Sequence, residues 1–274
     1  MVQTFNLWEN TPGMCEEVPT VTYYQPENKK SDAAVVIFPG GGYGHRASHE
    51  GKDYAEFYNE NGISAFVVDY RVSPHRFPLP LLDARRAVRF VRFNAEKFGI
   101  DKNKVAVMGS SAGGHLASMI STYYNEIDFE GADEIDKEDF IPNKQILCYP
   151  VINLCGKEYS HAGSGRNLLW EEHGMKGASL SPDFIASAQT PDAFIWHTFN
   201  DNVVDVRNSL EYASKLKSVG VGAEVHIFPE GNHGLGLCKN HVHCEGKDPK
   251  MLNHVAQWMP LVINWFKYIG YLND

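Results

Sequence analysis

Three residue types in a fixed order carry the chemistry of this sequence: Ser111, Asp201 and His233, each just beyond a short apolar run. Ser111 is the centre of Gly109-Ser110-Ser111-Ala112-Gly113, a G-x-S-x-G match between "KVAVM" and the small residues of "GHLAS". A glycine on each flank suits a strand-to-helix turn so tight that any side chain there would clash, and such a turn presents the serine hydroxyl free of its surroundings. A serine hydroxyl is a weak nucleophile at neutral pH, so it needs a base, and the base needs a carboxylate to orient it. "FIWHTFND" offers Asp201 at the start of a loop, and "EVHIFPEGNHGLG" offers His233 between Gly231 and Gly234. In the order serine, acid, histidine they would carry out acyl transfer through a covalent intermediate.

Neighbouring residues compete for these roles. Asp205 lies four positions, about one helical turn, beyond Asp201 and suits the cap of a helix starting near Val206. His226 falls inside an apolar run and reads as packed or exposed; Glu230 would have to fold back along its own loop to reach His233 and reads as a solvated charge. A fourth element is an oxyanion hole. "VVIFPGGGYG" contains three successive glycines, and the bare backbone of Gly41 and Gly42, with the N–H of Ala112, can supply donors to a carbonyl oxygen. Tyr43, His45 and Trp170 are weaker candidates for shaping a substrate pocket.

The elements that must position these residues are legible as alternation. Residues 33–38, 64–70, 104–109, 145–150, 192–199 and 223–228 are β-rich runs of strand length. Between them, "PLLDARRAVRFVRFNAEKFG" and "VRNSLEYASKLKSVG" place apolar residues at helical spacing and end in Gly99 and Gly220, which are stop signals. Strands alternating with helices predict an α/β fold with a doubly wound, mostly parallel sheet, in which ligands sit at the carboxyl ends of the strands. The chain reads as one domain over residues 1–274, with 151–190 breaking the alternation as a small insertion over one end of the sheet.

Taken together, the motifs "FPGGGY", "DYRVSP", "KVAVMGSSAGGHLAS", "NDNVV" and "FPEGNHGLGL" resemble the α/β-hydrolase superfamily. The resemblance is to its esterase branch, related to hormone-sensitive lipase and to bacterial acetylxylan and sugar-ester esterases, and it runs from about Val35 to Leu237. It implies hydrolysis of short-chain carboxylic esters without a cofactor, with Ser111, Asp201 and His233 on the triad positions. Many relatives carry His before the triple glycine; here it is Pro39, as in the sugar-esterase-like members, which moves the expected substrate away from lipid esters and toward acetylated sugars or similar small molecules.

Composition narrows the choice of partner and class. A formal charge of −9 and the lack of any Lys/Arg block argue against nucleic acid or an anionic membrane, which leaves a small-molecule ester as the expected partner. The amino-terminal stretch has no signal-peptide pattern and no run reaches membrane-spanning length, so a cytoplasmic location is expected. Five scattered cysteines (Cys15, Cys148, Cys155, Cys238 and Cys244) read as free thiols. "CKNHVHC" packs zinc-ligand types too tightly for tetrahedral wrapping and predicts no metal site. Gly42 to Ala47 also fits G-x-G-x-x-A with Asp69 ending the next run, the pattern of a nicotinamide-binding unit, but that reading leaves the Ser, Asp, His order unexplained. The sequence is also compatible with a peptidase or amidase, with a non-catalytic binder on the same fold, and with a homo-oligomer.

Overall fold

The computed structural model describes residues 1–13, 17–129, 132–170, 175–239 and 241–273; Cys15 lies outside them. Among the described residues the strands are β1 (Val2–Asn6), β2 (Thr20–Tyr24), β3 (Ala34–Phe38), β4 (Ser64–Asp69), β5 (Val105–Ser110), β6 (Lys144–Cys148), β7 (Ala193–Thr198) and β8 (Ala223–Phe228). The helices are α1 (Lys52–Glu60), α2 (Leu79–Phe93), α3 (Ala95–Phe98), α4 (Ala112–Thr122), α5 (Ala162–Leu169), α6 (Met175–Ser179), α7 (Pro182–Ile185), α8 (Arg207–Ser218), α9 (Pro249–Val255) and α10 (Trp258–Tyr268).

The strands form one sheet in the order β1-β2-β4-β3-β5-β6-β7-β8. β3 through β8 run parallel to one another, and β1 and β2 add an antiparallel edge. From β3 the chain crosses to β4 on one side, and from β5 onward it winds to the other, so the strand order reverses between β3 and β5. That switch opens a crevice at the carboxyl ends of these two strands, where the triple glycine and Ser111 sit.

Both faces of the sheet are covered, which is why its central strands are apolar throughout rather than alternating with polar residues. Ala34, Val36 and Phe38 of β3 belong to the core beneath α2, α4 and α8, while Val35 and Ile37 belong to the core of the opposite face, beneath α1 and α10. The helix predicted over the stretch from Pro80 to the Gly99 stop signal is divided at Asn94, whose side chain bonds the Phe90 carbonyl at 2.9 Å. Gly99, at φ 63°, ends α3 in the left-handed conformation, and the Ile100 N–H closes onto the Ala95 carbonyl at 2.8 Å. β1 and β2 are additions to the predicted strands. The segment that connects them is tied to α2, where the carboxylate of the buried Arg71–Asp83 pair also accepts from Trp8 Nε1 at 3.1 Å and Arg86 Nε donates to the Leu7 carbonyl at 2.7 Å.

Residues 151–190 carry α5, α6 and α7 between β6 and β7; residues 171–174 of this segment lie outside the described residues. α7 packs on α4 and α8. α5 reaches back to the triple-glycine loop, where Asn167 Nδ2 donates to the Gly42 carbonyl at 2.8 Å.

α4 meets β3 backbone to backbone: a Cβ on Gly113 would stand 2.0 Å from the Phe38 carbonyl oxygen and 2.6 Å from that of Pro39. In an open helix Gly→Ala gains about 1 kcal/mol. Here the methyl meets backbone that only a shift of α4 off β3 can clear, an overpacking cost of about 3 kcal/mol. Gly113→Ala should therefore lower the urea midpoint, and a variant at least as stable as the parent would show that α4 does not sit this close.

Candidate active site

Ser111 stands between the last residue of β5 and the first of α4 at φ 52°, ψ −122°, a conformation L-residues adopt only under constraint. The constraint is visible on both sides: a Cβ at Gly109 would lie 2.0 Å from the Gly113 carbonyl oxygen, and Gly113 is pressed on Phe38. The Ser111 backbone is fixed by its N–H on the Cys148 carbonyl at 3.0 Å and by its carbonyl accepting from Val151 at 2.9 Å. Only its hydroxyl is left to face the crevice.

His233 Nε2 lies 2.8 Å from Ser111 Oγ, and His233 Nδ1 lies 2.7 Å from Asp201 Oδ2. The carboxylate sets the tautomer: Nδ1–H donates to Asp201, leaving Nε2 to accept from the serine. Asp201 Oδ1 accepts the Val203 and Val204 N–H groups, each at 2.9 Å. Oδ2 has a second imidazole at 3.3 Å, His197 Nε2, which also donates to the Val204 carbonyl at 3.0 Å and whose Nδ1 accepts from Ser209 Oγ at 2.8 Å. Burial alone would raise the Asp201 carboxyl, but the hydrogen bonds from His197 and His233 outweigh it and hold the group well below the usual carboxylate range. His197 belongs to no motif in the sequence; its one signal is its place in β7, four residues before Asp201.

The competing residues fall where their local chemistry puts them. Asp205 accepts the Arg207 N–H at 2.8 Å at the start of α8 and pairs with the Arg207 guanidinium at 2.6 Å. His226 pairs with Glu224 at 2.8 Å, and Glu230 is exposed.

The amide N–H groups of Gly41, Gly42 and Ala112 donate to no carbonyl or side chain among the described residues. The rest of that loop is engaged. Gly40 N–H donates to Glu50 Oε2 at 2.8 Å, the Gly41 carbonyl accepts from Gly44 at 2.9 Å, and Tyr70 OH donates to the Pro39 carbonyl at 2.5 Å. Gly41 and Gly42 hold φ values of 126° and 61°, open to glycine alone without strain.

Of the three pocket candidates, Tyr43 is corrected by the structure. Tyr43 is buried in the core, its hydroxyl 2.7 Å from His115 Nδ1, because a phenol under a loop must find a partner. It supports the glycine loop from beneath. His45 is exposed, with its ring beside Gly41, and lines a depression with Arg46, Lys52 and Asp69. Trp170 is 59% exposed, and its ring stacks on the guanidinium of Arg76, just ahead of α2, at 4.0 Å.

Among the described residues no group of three or more His, Cys, Asp or Glu is arranged to hold a metal ion. Cys238 and Cys244 are free and buried; burial, reinforced by Cys244, pushes the Cys238 thiol up to about 12. The Gly42–Ala47 stretch leads only into the single 3-10 turn Ser48–Glu50, α1 starting at Lys52, and Asp69 is paired with Arg46 at 3.2 Å. No helix among the described residues is long and apolar enough to cross a membrane.

Residues 22–216 match the family model BD-FAE. The chain belongs to the BD-FAE family. This BD-FAE chain thus lies in the esterase branch of the α/β-hydrolase superfamily. It is similar to an acetyl ester-xyloside bifunctional hydrolase from Caldicellulosiruptor lactoaceticus, 40% identical with a TM-score of 0.88, over 99% of this chain and 97% of that one. It is 36% identical over 221 residues to an acetylxylan esterase of Xylanibacter ruminicola, covering 78% of this chain and 43% of that protein. It is also 36% identical over 246 residues to endo-1,4-beta-xylanase B of Butyrivibrio fibrisolvens, covering 86% of this chain and 38% of that protein. The chain therefore spans about two fifths of the length of these two curated relatives.

His115, one turn into α4, links the nucleophile helix to Tyr43 and, through Nε2 on the Leu180 carbonyl at 2.7 Å, to the insertion. Burial pushes this imidazole down to about 4, against the opposing pull of the Leu180 carbonyl. The unfolded chain takes up the proton near pH 6.5 and the folded one only near 4, so stability falls as pH drops through that window and levels below it. The loss should reach up to about 3 kcal/mol. Urea unfolding at pH 7 and pH 4.5 should show this slope in the parent and a shallower one in His115→Gln; equal slopes would remove His115 as its source.

Proposed function

We propose that the chain is a serine esterase that removes short acyl groups, acetyl first, from hydroxyls of sugars or similar small alcohols. The observation that carries the reading is one imidazole bridging a strained serine at 2.8 Å and a buried carboxylate at 2.7 Å. Ser111 Oγ attacks the ester carbonyl carbon as His233 Nε2 takes its proton. Asp201 keeps the imidazole oriented and stabilises the imidazolium that forms. Negative charge grows on the former carbonyl oxygen, where Gly41, Gly42 and Ala112 hold three N–H donors unengaged among the described residues. His233 then returns the proton to the leaving alcohol, and water repeats the sequence on the acyl-enzyme to release the acid.

The sugar-ester part of the reading draws on the names of the relatives and on Pro39 ahead of the triple glycine. The charge of −9 favours neutral substrates. A cytoplasmic location completes the reading, supported by four free thiols among the described residues.

Ser111→Ala should abolish hydrolysis of p-nitrophenyl acetate while the far-UV spectrum stays that of the parent; a folded, fully active variant would end the assignment. Activity should fall steeply from acetyl to octanoyl p-nitrophenyl esters, and acetylated xylose should be turned over where an aminopeptidase substrate is not. The acid is tested separately. Asp201→Asn leaves the wrong tautomer on His233 and should cut kcat by about 10⁴-fold. Asp205→Asn touches only the start of α8 and should cost at most about 1 kcal/mol of stability. A large kcat loss at Asp205 instead would move the carboxylate one turn along the chain.

A further inference from the structure

The triad and the oxyanion donors sit on four separate loops, and one short turn touches two of them. Ser48–Glu50 form a single 3-10 turn just after the glycine loop. Glu50 is 3% exposed and a double acceptor: Oε2 takes the Gly40 N–H at 2.8 Å, and Oε1 takes the Tyr149 hydroxyl at 2.7 Å. The Tyr149 oxygen in turn accepts the Gly236 N–H at 3.0 Å, three residues beyond His233. The Tyr149 ring packs edge-on to the His233 imidazole, centroids 5.0 Å apart, and its N–H donates to the Trp196 carbonyl of β7 at 2.7 Å. Next to Glu50, His49 Nε2 donates to the Gly234 carbonyl at 3.0 Å.

The bonds flank the reacting groups on both sides. The Gly40 N–H held by Glu50 immediately precedes the free N–H of Gly41, and the Pro39–Gly40 peptide is held from its other edge by Tyr70. Gly234 follows His233 directly, and Gly236 lies three residues beyond it. Tyr149 also belongs to β6's exit, whose Cys148 carbonyl holds the Ser111 N–H. Burial, followed by the Glu50 charge, pushes the Tyr149 phenol well above its ordinary value, so it remains a donor.

We propose that Glu50 and Tyr149 are positioning residues that set the oxyanion donors against the His233 imidazole, so that the hole and the base stay in register through the reaction. This rests on the serine-esterase reading above. Neither residue touches substrate; each acts through the peptide it holds. A displacement of the donors by a fraction of an ångström weakens stabilisation of the tetrahedral oxyanion more than binding of the planar ester, so the loss belongs to kcat.

The test uses the full chain with Glu50→Gln and Tyr149→Phe. The glutamine amide can present an acceptor to only one of the two donors, and the phenylalanine keeps the ring on His233 and Trp196 while losing the hydroxyl. Two rates are read: turnover of p-nitrophenyl acetate and covalent labelling of Ser111 by a fluorophosphonate, whose attack also builds charge in the oxyanion hole. Each variant should lower kcat and the labelling rate together by roughly 10- to 100-fold. KM should stay within about twofold. The double variant should lose little more than the worse single one, because both act through one network.

Parent-like kcat in a folded variant would overturn the proposal. So would a kcat loss matched by the unfolded fraction, with the folded molecules labelling at the parent rate. If Glu50→Gln does not fold, Tyr149→Phe decides alone. A parent protein that is labelled at Ser111 but hydrolyses no ester would refute the proposed function and leave the labelling comparison to judge Glu50 and Tyr149.

Discussion

The backbone contact of α4 on β3 is the constraint from which the rest of the site follows. With Gly113 seated against the Phe38 and Pro39 carbonyls, α4 has to begin almost on top of the sheet. The chain can make that start only by turning through one residue of positive φ, and that residue is Ser111. The same contact sets β3's exit beside the nucleophile: a Cβ on Gly40 would be 3.0 Å from Ser111 Cβ. Nucleophile and oxyanion loop are neighbours because two backbones touch, and the strained serine is stabilised by the sheet and helix on either side of it.

The amount of this that is legible in the sequence depends on how many faces of an element are buried. β3, β5 and β7 lie between two helix layers, so their residues are mostly apolar or small and the runs announce themselves. β1 is the opposite case. It is an edge strand with four of its five residues exposed, "VQTFN", and no burial pattern exists for a sequence to record. β2 does carry alternation, with Val21 and Tyr23 inward, but five residues of it are short enough to pass for a loop. The break in α2 at Asn94 is likewise silent, because apolar spacing continues through Phe98 on both sides of it.

The site divides in the same way. Ser111, Asp201 and His233 are readable because each follows a recognisable strand and each has a residue type few other roles demand. Glu50 and His197 are not, because their importance comes from a partner 99 residues away at Tyr149 and from a β7 side chain turned along its own loop toward Asp201. Tyr43 shows the converse error: an aromatic next to reactive glycines suggests a pocket wall, yet a ring that must also satisfy its hydroxyl is drawn under the loop to His115.

Two buried carboxylates frame the crevice, and the way each is satisfied explains how the site can be rigid and still hold donors in reserve. Asp201 takes two backbone N–H groups and two imidazoles; Glu50 takes one N–H and one phenol. Neither leans on a lysine or arginine, so no long cation has to enter the crevice. Both negative charges are met by short dipoles fixed in the loops themselves. Because the carboxylate oxygens are already taken by these donors, neither carboxylate is left to accept from the N–H groups of Gly41, Gly42 and Ala112. Those three donors stay in place for charge that exists only during the reaction, and their reorganisation has already been done by folding.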